Sequence, residues 1–294
     1  MSVYLVTGAG PVGRAVARRL HELGHRAVVM SRGSRPDALE STIEHRRGDA
    51  SNPADYPDGI AGIAHCIHAA YDARIWRELL VPAEQTALEV ARQRDVPIVF
   101  PESVYAFDKE AQVVTPATPL TDSRSGKPGV RADLLKARAA SGAQAFSVVA
   151  SDLYGPDAGA GCIVHQLIIG RKRPFALVND SVAHAVTYLP DLARMIVDAL
   201  LATTPLPRIM VAPTAPAVTQ RQLAEMAGCE HRPFVVTPWM VKLGGVFDFS
   251  LRGLVEMLYL WERPADVDGS VADWKPTAIE VGLEACLRGE NSSM

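Results

Sequence analysis

Three short stretches of this 294-residue chain carry residue types that could do chemistry. The first is His21-Glu22-Leu23-Gly24-His25, which fits the H-E-x-x-H pattern of zinc hydrolases. On one helix face two such histidines hold a metal, and the glutamate poises a water on it. The second is Gly8-Ala9-Gly10-Pro11-Val12-Gly13, a G-x-G-x-x-G run whose bare backbone lets a pyrophosphate approach. The third is Tyr105-Ala106-Phe107-Asp108-Lys109, with Ser103 just before it. A tyrosine and a lysine four residues apart reach the same place only if they stand on one helix. Each needs a particular backbone, so the neighbouring elements decide among them.

Residues 3–7, Val-Tyr-Leu-Val-Thr, read as a buried strand. After Gly13, Val16, Ala17 and Leu20 recur at helical spacing, and Gly24 stops that helix as a C-cap would. His25 and Arg26 then lead into Ala27-Val28-Val29-Met30, a second strand. His21 therefore lies near a helix end and His25 beyond it, so they share no face and no metal site is expected. The glycine run has the context its chemistry demands, a strand before it and a helix after. Gly8 permits the tight turn, Gly10 clears the pyrophosphate, and Gly13 lets helix and strand pack closely. Pro11 and Val12 open the helix, whose free N–H groups face the phosphates. A glycine-rich turn with no ligand is the bland alternative.

The end of the second strand selects the nucleotide. NAD sites place a carboxylate there for the ribose hydroxyl, but Met30–Arg35 contains none. Arg32 offers a planar fork of donors for a 2′-phosphate, Ser31 a hydroxyl, and Arg35 a further cation. NADP(H) is expected ahead of NAD(H), with a solvated basic loop as the alternative.

Strand-like and helix-like segments keep alternating: strands at Ile43–Arg47, Ile63–Ile67, from Pro97 and at Ala145–Ala150, helices at about Arg74–Arg94 and Arg131–Ala140. The pattern predicts an α/β fold, a doubly wound parallel (Rossmann) sheet, with a smaller, irregular C-terminal substrate-binding region. Residues 1–155 form the dinucleotide-binding core in this reading, and 156–294 a mixed substrate-binding region with some segments returning to the core. Ligands bind beyond the carboxyl ends of such strands, which picks out Asp49, Ala69–Tyr71, Ser103–Tyr105 and Ser151–Gly155. Thr219 suits a helix cap. Residues 238–261, with Trp239, Met240, Phe247, Phe249, Met257, Tyr259 and Trp261, either roof an apolar substrate pocket or pack a core.

A formal charge of −3 with scattered Lys and Arg argues against nucleic acid as a partner. No segment reaches the roughly 18 apolar residues of a membrane span. The start of the chain lacks a signal-peptide pattern, and Cys66, Cys162, Cys229 and Cys286 form no CxxC. A cytoplasmic enzyme with a small-molecule substrate fits these features.

Thr7–Gly13, Gly48-Asp49, His68-Ala69-Ala70 and Ser151-Asp152-Leu153-Tyr154-Gly155-Pro156 resemble the extended short-chain dehydrogenase/reductases, and most of all their atypical NAD-dependent epimerase/dehydratase-like branch. Thr187–Asp191 and the Pro276-Thr277 helix are similar to the family more loosely. The resemblance implies that Asp49 and Ala50 contact the adenine and that Ala69, Ala70 and Tyr71 line the cofactor. It places the Ser151–Gly155 segment, with Ser151, Leu153 and Tyr154, beside the nicotinamide. It also implies a homodimer paired through the helices that follow the fourth and fifth strands.

Family reductases use a Ser-Tyr-Lys set with Tyr and Lys four apart on one helix. Here no tyrosine occurs between Tyr105 and Tyr154. One alignment puts Lys127 at the tyrosine position and Arg131 at the lysine position; another puts Ala132 and Lys136 there. Ser103 falls where the polarising serine is expected. Tyr105–Lys109 lies too early in the chain for the catalytic helix. Tyr105, then Tyr71, then Lys127 are the candidates to handle the proton. Three functions stay open: an NADP(H)-dependent oxidoreductase or epimerase-like enzyme on a small, rather apolar carbonyl or alcohol; an NADP(H)-binding regulator or scaffold without catalysis; and a non-redox enzyme on the same fold.

Overall fold

Apolar runs without polar alternation belong in a sheet covered on both faces, and such runs build the centre of this protein. The computed structural model describes residues 2–124, 126–159, 161–246, 249–268 and 274–291, without the side chains of 249–250 and 289–291. Seven strands form one sheet: β1 (Val3–Thr7), β2 (Arg26–Ser31), β3 (Glu44–Arg47), β4 (Ile60–His65), β5 (Ile98–Ser103), β6 (Ala145–Ala150) and β7 (Ile209–Val211). Their order is β7-β6-β5-β4-β1-β2-β3. The pairs β1-β2, β1-β4, β2-β3 and β4-β5 are parallel. This is the doubly wound arrangement, with the order reversing between β1 and β4.

Helix α1 (Pro11–Glu22) starts with Pro at its first turn and buries Gly13, Val16, Ala17 and Leu20. It ends where a residue with positive φ is needed: Gly24 has φ 77°. The Gly24 N–H donates to the His21 carbonyl at 2.9 Å and the His25 N–H to the Leu20 carbonyl at 3.0 Å. Those two bonds close the helix and turn His25 out of it, edge-on to the Tyr4 ring at 5.2 Å. Helix α2 (Ala73–Arg94) is capped by Asp72, whose carboxylate accepts from the Arg74 and Ile75 N–H groups at 2.8 and 3.0 Å. Helix α3 spans Gly126–Ala140 and so starts ahead of the expected Arg131. Its first turn lies tight on the preceding loop: a Cβ on Gly129 would stand 2.4 Å from the Ser123 carbonyl oxygen. Helix α4 covers Leu189–Leu201.

Two compact units divide the chain. The first comprises Met1–Ala106, Asp122–Val149 and Leu192–Met210; the second comprises Phe107–Thr121, Ala150–Asp191 and Val211–Met294. In the first unit a charge network is buried under the sheet. Arg138 donates to both oxygens of Glu84, at 2.7 and 2.8 Å, to Glu102 at 2.8 Å and to the Ser147 hydroxyl at 3.0 Å. Burial opposes the Arg138 charge, but Glu84 and Glu102 outweigh it and its pKa rises. Close by in the sheet, the His65 ring shares a hydrogen bond with the Thr7 hydroxyl at 2.9 Å.

In the second unit, the strand Asp152–Tyr154 pairs in parallel with Val186–Tyr188. Thr219 caps the helix Gln220–Met226 with a reciprocal bond from Gln222. Asp191 accepts from the Thr277 N–H at 2.7 Å and its hydroxyl at 3.1 Å, tying the two loosely family-like segments together. The aromatic stretch of 238–261 does not form one surface. Met257 and Trp261 are buried, while Trp239 is 64% exposed. Phe247 and the Phe249 side chain lie outside the described residues.

Arg138→Met leaves two buried carboxylates without their partner, which is expected to cost about 3–5 kcal/mol. Urea unfolding measures it, and a loss near zero would show that the pair does not hold the core. A second expectation concerns acid. Burial first, then Arg138 and Arg131, push the His65 pKa down from 6.5 to about 3. Below 6.5 the unfolded chain takes up this proton and the folded chain does not, so folding weakens by about 1.4 kcal/mol per pH unit for this group. The wild type should lose stability more steeply than His65→Asn between pH 6.5 and 3; parallel curves would contradict it.

Candidate functional site

Parallel pairing brings the carboxyl ends of β1, β2, β4 and β5 to one edge of the sheet, so the loops that follow them are neighbours. The loop after β1 is fixed by sterics. Gly8, with φ 97°, donates its N–H to the Met30 carbonyl at 2.8 Å. A Cβ on Gly8 would sit 2.6 Å from the Cys66 carbonyl oxygen, and one on Gly13 would sit 2.0 Å from the Gly8 carbonyl oxygen. Around Gly10 the opposite holds, with nothing within 4 Å of its would-be Cβ. Gly10 caps α1 without a side chain, and Pro11 has no N–H. The Val12 and Gly13 N–H groups therefore lie at the helix start, where donors have no intrahelical acceptor. Tight at Gly8 and Gly13, open at Gly10 and lined by amides, the loop fits the pyrophosphate of a dinucleotide.

After β2, Arg32 is exposed. Ser31 shares a hydrogen bond with His45 at 2.9 Å, and Arg47 donates to the Arg32 carbonyl at 3.2 Å. Arg35, also exposed, binds within its own loop. Its terminal nitrogens donate to the carbonyls of Leu39 at 3.1 Å, Ile43 at 2.8 Å and Glu40, so it shapes its own loop. Asp49, after β3, accepts from the Ser51 hydroxyl at 2.7 Å and N–H at 2.9 Å. These bonds, the hydroxyl first, hold its carboxyl below the usual range, and nearby Arg32 adds to the shift. Ala50 is buried, and its carbonyl accepts from the Tyr56 hydroxyl at 2.9 Å.

After β4, Ala69 and Tyr71 are half-buried and Ala70 is exposed. After β5, Ser103 and Tyr105 are half-buried. The Ser103 N–H donates to Glu102 at 2.7 Å, and its hydroxyl accepts from the Tyr105 N–H at 3.3 Å. Tyr105 sits on a single 3-10 turn, Val104–Ala106, and Lys109 is exposed in the second unit. The literal Tyr105–Lys109 match is thus not helical.

Of the two alignments on α3, the structure puts Lys127 and Arg131 inside and Lys136 outside. Lys127 is 1% exposed and Arg131 8%. Lys136 is exposed and meets Ser123 and Asp133. The Lys127 ammonium stands 4.3 Å from the centre of the Tyr71 ring, and the Arg131 guanidinium 4.8 Å from that of Trp76. Tyr71 is edge-on to Trp76 at 5.5 Å and to Tyr105 at 6.4 Å. Two cations one helical turn apart thus rest on an aromatic wall in the unit that holds Ser103. Arg131 also faces Glu102 at 3.6 Å. Glu102 was not singled out in the sequence. A carboxylate inside the apolar run of β5, next to Ser103, was its available signal.

The remaining expected residues belong to the second unit. The Ser151 N–H donates to the Thr187 hydroxyl at 3.0 Å, and its own hydroxyl donates to the Ala185 carbonyl at 2.8 Å. Leu153 pairs with Thr187 in the strand. The Tyr154 ring has no exposed surface and packs on Tyr188 at 5.4 Å. A Cβ on Gly282 would stand 2.6 Å from that ring. Tyr154 is a core residue.

Comparisons with known proteins extend this picture. L-threonine dehydrogenase from Clostridium difficile aligns with a TM-score of 0.78 at 16% identity, over 100% of this chain and 98% of its own. Pal from Bacillus thuringiensis aligns with a TM-score of 0.77 at 18% identity, over 99% and 100%. The Bordetella bronchiseptica enzyme WbmH, solved in complex with NAD+, aligns with a TM-score of 0.73 at 14% identity, over 99% of each chain. At these identities the likeness is one of fold. No curated protein matches the sequence. Among the described residues no helix is long and apolar enough to cross a membrane. The family model for NAD dependent epimerases/dehydratases matches residues 4–204. With its glycine loop, strand order and matched length in agreement, the chain belongs to the NAD dependent epimerase/dehydratase family.

Proposed function

We propose that the chain is an NADP(H)-dependent oxidoreductase or epimerase-like enzyme acting on a small, rather apolar carbonyl or alcohol. The observation that carries the cofactor choice is the end of β2. Arg32 is exposed there, and Met30–Arg35 contains no carboxylate to hold a ribose hydroxyl. The family's description names NAD, and the Bordetella structure holds NAD+; Arg32 is the feature that favours the phosphorylated form in this chain.

When bound, the nicotinamide supplies the hydride chemistry. The chain's own residues do the rest. The Val12 and Gly13 amides hold the pyrophosphate, and Arg32 reads the 2′-phosphate. The Ser103 hydroxyl, set in place by Glu102 and the Tyr105 N–H, polarises a carbonyl oxygen. With no tyrosine on α3, the proton falls to Tyr105, with Tyr71 and Lys127 as the other groups able to carry it. The same absence favours one second reading, a protein that binds NADP(H) without turnover.

Arg32→Ala removes hydrogen bonds to a charged group worth about 1.5–3 kcal/mol. It is expected to weaken NADPH about 10- to 150-fold and to leave NADH nearly unaffected, as read by cofactor fluorescence. Equal losses for both would show that Arg32 does not read the 2′-phosphate. Ser103→Ala should slow turnover of an authentic substrate on the order of 100-fold; unchanged kinetics would remove Ser103 from the mechanism.

A further inference from the structure

A histidine stands beside the place assigned to the 2′-phosphate. Parallel pairing sets Val29 of β2 against His45 of β3, and Ser31 against Arg47. Side chains alternate along a strand, so Ser31, His45 and Arg47 share one face of the sheet. There the His45 Nε2 and the Ser31 hydroxyl meet at 2.9 Å. The Arg47 guanidinium ends at the Arg32 carbonyl, 3.2 Å away. Ser31 and His45 are half-buried, while Arg32 and Arg47 are exposed. A hydroxyl, an imidazole and two guanidinium groups thus gather where β2 and β3 end.

The charges around the ring are mostly positive. Arg35, in the loop between the two strands, is held by the carbonyls of Leu39, Glu40 and Ile43, which leave its charge in force. Arg46 and Arg47 follow His45 on β3. Of the carboxylates, Glu40 meets Arg18 of α1, and Glu44 meets Arg26 of β2. Asp49 accepts from Ser51 and interacts with Arg32. Burial first, then Arg35, hold the His45 pKa below its usual 6.5. At neutral pH the ring is therefore mostly uncharged.

A phosphate dianion changes that balance, because an opposite charge nearby favours the imidazolium. The ring takes one proton from water. Both nitrogens of an imidazolium donate, so the Ser31 oxygen accepts from Nε2 and gives its own proton to a phosphate oxygen. Only hydrogen bonds and that one proton move. The 2′-hydroxyl of an unphosphorylated ribose carries no charge and gives the ring no cause to protonate.

We propose that His45 is a specificity-determining residue: acting through the Ser31 hydroxyl, it takes up a proton when a cofactor 2′-phosphate binds beside Arg32 and Arg47. This rests on the reading of Arg32 as a 2′-phosphate ligand and adds a titrating partner to it. The preference for the phosphorylated cofactor is then strongest at acid pH and weakens as pH rises through the titration of His45 in the complex.

The test follows the ring itself, because the 2′-phosphate also titrates, at about pH 6. The full chain with 13C-labelled histidine is titrated from about pH 5 to about pH 8 by NMR, alone and saturated with NADP+ or NAD+, and His45 is assigned with His45→Gln. NADP+ is expected to raise the His45 midpoint and NAD+ to leave it in place. The ratio of NADP+ to NAD+ affinity should fall about fivefold more in the wild type than in His45→Gln between about pH 6 and about pH 8. An unmoved midpoint with NADP+ still preferred would overturn the proposal and leave the Arg32 reading standing. A midpoint raised equally by NAD+ would assign the effect to the diphosphate and overturn it as well. No preference for NADP+ at any pH would overturn both readings.

Discussion

The first unit depends on a contact that leaves no room for a side chain. At Gly13 a Cβ would lie 2.0 Å from the Gly8 carbonyl oxygen, well inside any non-bonded distance. Only glycine lets α1 leave β1 at that angle, and the angle places the first amides of the helix over the carboxyl edge of the sheet. Gly8 is held from the other side by Met30, so β2 ends beside the same loop. The positions of Ser31 and Arg32 follow from that. One steric constraint thus sets both the glycine loop with the start of α1 and the end of β2 beside it.

A second constraint acts through charge. Arg138 is buried between Glu84 and Glu102, and Glu102 reaches both the Ser103 backbone and Arg131. Ion pairs of this kind add little net stability, because desolvation offsets most of the attraction. What they supply here is position. The core network ends at the residues expected to touch substrate, so Ser103 and the inner face of α3 are fixed from beneath. Lys127 and Arg131 then rest on the rings of Tyr71 and Trp76.

The local features were legible in the sequence. The strand, glycine loop, helix and second strand of residues 3–31 are read from apolar spacing and from Gly24, and the Thr219 cap from its residue type. Local spacing also disposes of the His21–His25 pattern, since the helix stops between them. What was not legible depends on distant partners. Glu102 meets Arg138, 36 residues away, and Glu84 meets it from 54 away; no period encodes such pairs. Arg35 was offered as a cofactor contact by its charge and Tyr154 by the family resemblance; neither reading foresaw the loop carbonyls that Arg35 meets or the buried ring of Tyr154. His45 meets Ser31 from 14 residues away and carries no short motif.

The most direct measurement is a titration of the purified wild-type protein with NADPH, NADP+ and NADH, followed by heat. The account expects NADPH to bind well ahead of NADH, because the amides of the Gly8–Gly13 loop and the Arg32 guanidinium act on one molecule. Binding of NADH as tightly as NADPH would contradict the role of Arg32. Binding of none of the three would contradict the cradle itself and every catalytic role built on it.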